Sequence, residues 1–515
     1  MKYLTYSGNN IISARLPDRA SILYAPGPLR GIRKRDVPAA VVRAFRNPLG
    51  MGSLEKLVGG SSRVLIAFDD NCQPFPATCG PDIRQQALEV LLPLLWSCGV
   101  QKKNVRLVCA VALHRKMKTH ELRAMVGSQI MGEFHPRQLN NFDAEDRADI
   151  VDLGETEQGE RVQVCKGVVE SDLTIYVDAV QIPLNGGHKS VAVGLGTYES
   201  ISNHHHPKMT AESPHVMQPE NSLMHQSVER LSRVVQKHGR IMVMEAALNN
   251  ATYPFYLNYL GKPDGRCNML ERLLKSATPV AMKLIPEPAR RVILHGVRAA
   301  YDPIEINAGA IEPVHARTLE AMRRQMEVAA PRQFGTVVFG LPDLSPYAVG
   351  ARINPVLVVS DVLGYVFNWF YNRPLLKKGG VVIILNPTFE VFHSEYHTAY
   401  RKFYEEVLPV TTDPATMQEV FQEKFARDPS LIDCYRNRYA HHGFHPFTVW
   451  YWATYALKYL SKVIIVGPGD DEVTKRLGVS WSPSLERALA EAREITEGDD
   501  VAALTVPPFF YVNIA

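Results

Sequence analysis

What most limits the folds open to this chain is an alternation of short apolar runs with stretches of helical spacing. "RVLIAFDD" (63–70) is continuously apolar and ends in acid, as a strand buried on both faces of a parallel sheet does. "DIRQQALEVLLPLLWSCGV" (82–100) follows with leucines at helical spacing, and "NVRLVCAVALHR" (104–115) reads as a second strand. Together they make a βαβ unit. Further strands are predicted at "DLTIYVDAV" (172–180), "RIMVMEAAL" (240–248), "GTVVFGLP" (335–342), "GGVVIILN" (379–386) and "KVIIVG" (462–467). "VHARTLEAMRRQMEVAA" (314–330) predicts a helix, and "PRQFG" after it a domain boundary. The expected class is α/β, with two domains of largely parallel sheets and flanking helices, residues 1–330 and 331–515, and an active-site cleft between them. Residues 387–461, rich in aromatics and histidine, read as a mostly helical insertion in the second domain.

The 515 residues are too many for one ordinary core. A net charge of +4 without a basic stripe argues against nucleic acid as a partner. The start, "MKYLTYSGNNIISARLPDRA", lacks the apolar core and cleavage site of a secretory signal. "PVLVVSDVLGYVFNWFY" (355–371) is broken by Ser360, Asp361 and Asn368, and so reads as a buried helix and not as a membrane span. Seven scattered cysteines without a CxxC pair argue against a disulfide framework and a Cys-rich zinc site. The expected location is the cytoplasm.

The densest chemistry lies in "PLNGGHKSVAVGLGTYESISNHHHPKM" (183–209). "NGGHKS" lacks the earlier glycine of a Walker A loop, and "GLGTYE" lacks the third glycine of a dinucleotide fingerprint. Tight turning explains Gly186 and Gly187 as well as a phosphate does. By itself Lys189 reads more readily as a solvated lysine than as a functional one, and the triple histidine as an exposed loop before it reads as donors for nickel or zinc. Asp69, Asp70 and His114 fall at strand C-termini, the edge where open α/β sheets bind ligands. Helix capping or core packing would also account for them. Taken together, these residues suit an anionic ligand met by a lysine, a metal and a base.

On those residues the sequence resembles the lactate racemase family, enzymes that use a nickel-pincer nucleotide (a pyridinium bisthiocarboxylic acid mononucleotide nickel complex). Gly186, Gly187, Lys189, Ser190, Gly194, Tyr198, Glu199, Ile201 and His205 fall in register with the family's Gly-Gly-x-Lys-Ser loop and Tyr-Glu…His segment. "FDDNCQP" is similar to its Asp-x-Thr-Arg-Pro element, keeping Asp70 and Pro74, and "ALHRKM" to its Gly-x-His-Arg element. "NPLGMGSLEKLV", "AALN" and "LLKKGGVVIIL" are also similar, so the resemblance spans about residues 40 to 386. It implies that Lys189 is joined to the cofactor through a thioamide, with Gly186, Gly187, Ser190 and Asp70 around it. It further implies that His205 ligates the nickel and that His114 is an acid/base residue. The implied activity is that of an isomerase, racemising or epimerising a 2-hydroxy acid by hydride transfer to and from the cofactor. The implied partners are that small molecule and the enzymes that make the cofactor.

Three positions depart from the family pattern. Cys72 replaces a threonine, Gln73 an arginine, and Ala179 the second catalytic histidine expected ten residues before Lys189. The second acid/base is then sought at His188 first, or at Tyr176 or His445. Arg115 and the stretch "YAHHGFHPFTVWYW" (439–452) are candidates to replace the lost carboxylate clamp. These departures point to a substrate larger than lactate. The rival expectations are a non-catalytic relative that acts as a binding protein, and a zinc hydrolase built on Asp70 and the triple histidine.

Overall fold

The structure, a computed structural model, describes residues 1–467, 471–507 and 509–514. Two six-stranded sheets dominate it. The first runs in the order Pro303–Gly309, Ile241–Leu248, Leu173–Val180, Val64–Asp69, Val105–Ala110, Leu139–Asn141, and is parallel except for the Pro303–Gly309 edge. The second runs Ser480–Ser482, Lys462–Val466, Leu376–Leu385, Phe334–Gly340, Val501–Leu504, Ser21–Leu23, and is parallel throughout. The runs 64–69, 173–180 and 241–248 are buried at every position, because helices such as Ile83–Ser97 and Ile311–Met326 cover the sheet. This is why they are apolar without alternation.

The chain order sets where a ligand can enter. In the first sheet the chain builds outward from Val64–Asp69 to Leu139–Asn141, then returns to lay Leu173–Val180 on the other side. In the second it builds outward from Phe334–Gly340, then returns to lay Val501–Leu504 on the other side. Each reversal opens a crevice beyond the strand C-termini. The loops that leave Val64–Asp69, Leu173–Val180, Phe334–Gly340 and Val501–Leu504 line one cavity.

Two expectations change. The helix read to residue 330 ends at Met326, and Glu327–Ala330 is a strand paired in parallel with Tyr511–Ile514. The run 355–371 is buried, but divides into a helix (Pro355–Ser360), a π-helical turn (Asp361–Tyr365), a 3-10 turn (Val366–Asn368) and a short strand (Phe370–Tyr371). The insertion is mainly helical, with helices such as Pro429–Asn437 and His445–Trp452. No described helix is long and apolar enough to cross a membrane.

Candidate active site

The cavity holds about 230 Å³ and is walled by both sheets' loops. Asp70 follows the strand Val64–Asp69, where the Arg84 guanidinium donates to the Asp69 and Asp70 carbonyls (2.7 and 2.6 Å) and is itself paired with Asp82. Asp82, and neither Asp69 nor Asp70, caps the following helix. The Asp70 side chain is therefore free to turn to His114, whose Nδ1 lies 2.7 Å from its Oδ2. Burial pushes the Asp70 carboxyl up, but the His114 ring and the Cys72 contacts outweigh it and hold it at about 2.

His114 lies four residues past its strand, in a loop that the insertion fastens. The Tyr435 hydroxyl donates to the Ala112 carbonyl (2.8 Å) and the His442 N–H to the Leu113 carbonyl (3.1 Å). Ala112 itself takes φ +48°, a backbone setting that side chains other than glycine rarely adopt. Beside the His114 ring stand Tyr347 (5.2 Å between centroids) and His445 (5.0 Å). The Tyr400 hydroxyl meets His445 at Nδ1 (2.7 Å), leaving Nε2 for the cavity.

Opposite lies Lys189, at the start of a short helix, partly buried and without a hydrogen bond or ion pair to another described residue. Burial lowers its pKa, although Cys72, Asp69 and Asp178 oppose the shift. An amine desolvated in this way yields its neutral, nucleophilic form more readily than a surface lysine. Beneath it Asp69 and Asp178 form a proton-sharing pair. Burial raises both; Asp69, which accepts from the Ala179 N–H (2.8 Å) and the Tyr176 hydroxyl (3.2 Å), settles at about 6, and Asp178 stays well above its usual range. The Ser190 hydroxyl donates to Asp178 (2.7 Å).

His205 is buried, lines the cavity and leaves Nδ1 without a partner, while Trp452 stands 5.6 Å from its ring. Burial, then His204 and Lys189, hold its pKa well below the usual value. It is thus neutral, the state in which imidazole binds metals. His204 is also buried, with both ring nitrogens unpartnered, but it does not line the cavity. Trp452 stacks on Tyr365 (5.4 Å), whose hydroxyl bonds that of Tyr347. An aromatic arc thus runs from His114 to His205.

Three sequence-proposed residues are placed elsewhere. His188 faces out of the cavity, with Nδ1 3.0 Å from the Ser232 hydroxyl and Nε2 3.7 Å from Glu312, because it stands in helical conformation just before Lys189 and successive side chains on a helix point about 100° apart. Arg115 is spent in a bidentate pair with Glu121 (2.5 and 2.8 Å) against the Tyr396 ring, so it cannot clamp a substrate carboxylate. The Gly187 N–H goes to the Glu245 carboxylate (2.7 Å) and not to a phosphate. Both Gly186 (φ +84°) and Gly187 (φ +64°) are left-handed, and a Cβ on them would strike Glu245 (2.8 Å) and His315 (2.7 Å) respectively. The glycine pair thus serves the fit of the loop onto Glu245 and His315. Sequence reasoning missed Glu245, Asp178 and Asp361. The signal for the first two was an acid inside an otherwise apolar strand, which must find a partner there.

The aromatic stretch 439–452 divides between the two readings given it. His445, Thr448 and Trp452 line the cavity, whereas Phe447, Trp450 and Tyr451 are core. Gln73 lines the cavity with its Oε1 unpartnered, and Lys189 is the one lysine or arginine among the lining residues. Asp70, Cys72 and His114 also bring three metal-capable donor atoms within 4.8 Å of one another.

Residues 8–217, which hold Asp70, His114, Lys189 and His205, match the model of the lactate racemase N-terminal domain. Over that N-terminal part the chain is similar to lactate racemases. Over its full length it superposes on the lactate racemase apoprotein from Thermoanaerobacterium thermosaccharolyticum, with TM-score 0.60, 18% identity and 100% of both chains covered. A protein from Thermotoga maritima superposes with TM-score 0.55 and 12% identity, over 95% of this chain and 100% of the other. At these identities the likeness to the solved lactate racemase is one of fold. No curated protein matches the chain in sequence.

Proposed function

We propose that the protein is an isomerase that racemises or epimerises a 2-hydroxy acid larger than lactate, with a nickel-pincer nucleotide tethered to Lys189. The observation that carries this reading is the meeting of an unpaired, cavity-lining amine and a neutral, half-unpartnered imidazole, Lys189 and His205, in the cavity that holds the Asp70–His114 pair. Lys189 fits the tether and His205 the metal, whereas Gly187 offers no phosphate cradle because Glu245 takes its N–H. When bound, that cofactor supplies a hydride acceptor, chemistry that no side chain provides.

The chain's own residues handle the proton. Asp70 fixes His114 through Nδ1, so Nε2 takes the proton of the substrate hydroxyl as the α-hydrogen leaves. His445, a second imidazole 5.0 Å away, serves the hydroxyl of the other stereoisomer in place of the histidine missing at Ala179. Tyr176 is unsuited, since its hydroxyl is committed to Asp69 and burial raises its pKa well above the usual value. With no arginine in the wall, substrate affinity rests on the arc of Tyr347, Tyr365 and Trp452. That arrangement favours a longer or aromatic acid over a compact one.

Protein co-expressed with the cofactor-making enzymes should show a mass adduct on Lys189 and one nickel, with nickel lost in His205→Ala and kept in His204→Ala. Chiral analysis of a hydroxy-acid panel in deuterated water should show inversion without deuterium at the α-carbon, and poor turnover of lactate. A loaded protein that inverts no hydroxy acid would leave a binding protein. Zinc without an adduct, lost on changing Cys72 or His114, would favour the hydrolase.

A further inference from the structure

Between the strands Ile241–Leu248 and Pro303–Gly309 the chain leaves the first sheet and forms a turn, Phe255–Gly261, and two helices, Met269–Leu284 and Glu287–Gly296. This segment carries ten of the eighteen large apolar side chains that are exposed among the described residues. The long helix sits with its polar side inward. At about 100° per residue, Met269, Leu270, Leu273, Val280 and Leu284 share one side of it, and all five are exposed, Met269 by 90% and Leu284 by 81%. Glu271, Lys275 and Thr278 share the opposite side and are bonded within the chain. Glu271 pairs with Lys262, Lys275 with Asp264 (2.8 Å), and the Thr278 hydroxyl meets that of Tyr259 (2.9 Å). A surface helix normally turns its apolar side to its own core, whereas this one offers that side outward.

Charge decides what can cover it. Residues 255–296 hold seven lysines and arginines against three aspartates and glutamates, and each of the three acids is paired: Asp264 with Lys275, Glu271 with Lys262, and Glu287 with Arg352. Arg266, Arg272, Lys283 and Arg291 are exposed and have no ion-pair partner among the described residues. On the wheel of the long helix Arg272 and Lys283 fall about 40–60° beyond Met269, at the border of the apolar side. Two copies of such a face would bring like charges together, so a second copy of the chain is a poor fit.

We infer that this hairpin seats the protein on an anionic lipid surface, with the apolar side of Met269–Leu284 among the upper acyl chains and Arg272 and Lys283 at the headgroups. Such a surface is negative at the top and apolar just beneath, the same order that the helix presents across its border. The long stems of Arg272 and Lys283 can lie along the apolar layer while their charges stay at the phosphates. Phe255, 84% exposed, and Tyr256, 60% exposed, add aromatic rings of the kind that settle at this depth. Tyr253, just before them, donates to the Pro507 carbonyl (3.1 Å), and Pro507 lines the catalytic cavity. The seated face is thereby joined to the cavity wall.

The test is flotation of the full-length protein with vesicles of phosphatidylcholine alone, and with vesicles of phosphatidylcholine and phosphatidylglycerol in about equal parts. The wild type should float with the anionic vesicles, stay behind with the neutral ones, and come off as salt is raised. Leu273→Glu/Val280→Glu should abolish flotation. Arg272→Gln/Lys283→Gln should weaken it by roughly 10- to 30-fold, on the order of fivefold for each charge removed. All four positions are exposed, so circular dichroism and melting temperature should match the wild type in both variants. A wild type that floats with neither vesicle, that floats equally with both, or whose flotation neither double variant changes overturns the inference. A wild-type dimer that the glutamate pair dissolves assigns the face to a second copy and overturns it as well. None of these readings depends on bound cofactor, so they stand apart from the proposed activity.

Discussion

Asp70 Oδ2 lies 2.7 Å from His114 Nδ1, and the same carboxylate accepts the Cys72 N–H at 2.9 Å through its other oxygen. The carboxylate is therefore held at both ends, and the imidazole inherits its orientation from the strand end. Its depressed pKa, about 2, makes this pairing a contribution to stability. A carboxylate whose folded pKa is lowered stabilises the fold above its unfolded value, and that contribution is lost as the pH falls toward the folded one. The shift is worth about 2 kcal/mol. Denaturant titrations should show the wild type ahead of Asp70→Asn by about that amount near pH 5, with the gap closing toward pH 2. A gap that does not change with pH would contradict the pairing. Turnover by the loaded variant should fall by about 10²-fold or more.

Lys189 carries the opposite sign. Its pKa is lowered by burial, so the protonated amine weakens the fold at low pH, and the penalty fades as pH rises from the folded pKa toward the unfolded one. Lys189→Met should therefore melt higher than the wild-type apoprotein by roughly 1–3 °C at neutral pH, an advantage that shrinks in alkaline buffer. Calorimetry at two pH values checks this. A variant that melts lower would mean that the lysine is paired in solution.

Asp361 lines the cavity with Oδ1 unpartnered, and burial raises its carboxyl to about 7 although the Ser345 hydroxyl pulls the other way. A raised carboxylate leaves the fold intact below the unfolded pKa and weakens it as pH climbs through the folded one. Asp361→Asn should be indistinguishable from the wild type near pH 4 and more stable above pH 7, by at most about 4 kcal/mol. Equal stability of the two proteins at pH 8 would refute the assignment.

Gly187→Ala meets two obstacles, the left-handed backbone and the His315 ring 2.7 Å from the new methyl. The backbone alone costs about 1–2 kcal/mol. Adding His315→Ala should recover the steric part and leave the backbone part, a difference that a double-mutant cycle reads directly. Because the loop carries Lys189, the single variant should also show a lower yield of the lysine adduct.

The buried strands were legible because burial on two faces leaves few polar residues to choose from. "RVLIAFDD" and "DLTIYVDAV" became Val64–Asp69 and Leu173–Val180. Elements defined by distant partners left no such trace. Glu327–Ala330 continues a helical pattern, yet pairs with Tyr511–Ile514, and the hairpin Lys2–Ser7/Asn10–Arg15 is a short antiparallel pair. In the site, Asp70, His114, Lys189 and His205 could be picked out because each follows a strand or sits at a fixed spacing. The direction of a side chain within a turn carries no such signal, and so His188, next to Lys189, gave no sign of facing away.

The strand Ser21–Leu23 pairs in parallel with Val501–Leu504, so the first residues of the chain close the edge of the second sheet. On a ribosome this strand emerges early and waits through some 480 residues for its neighbour. Contacts of such long range form late, because the loop they close must be ordered first. Val506, Pro507 and Phe509, which follow that neighbour directly, are part of the cavity wall. A nascent chain can thus assemble the lysine loop and the histidine loop well before it owns a closed pocket. The attachment proposed for Lys189 would have its widest opening in that interval, before the last strand docks.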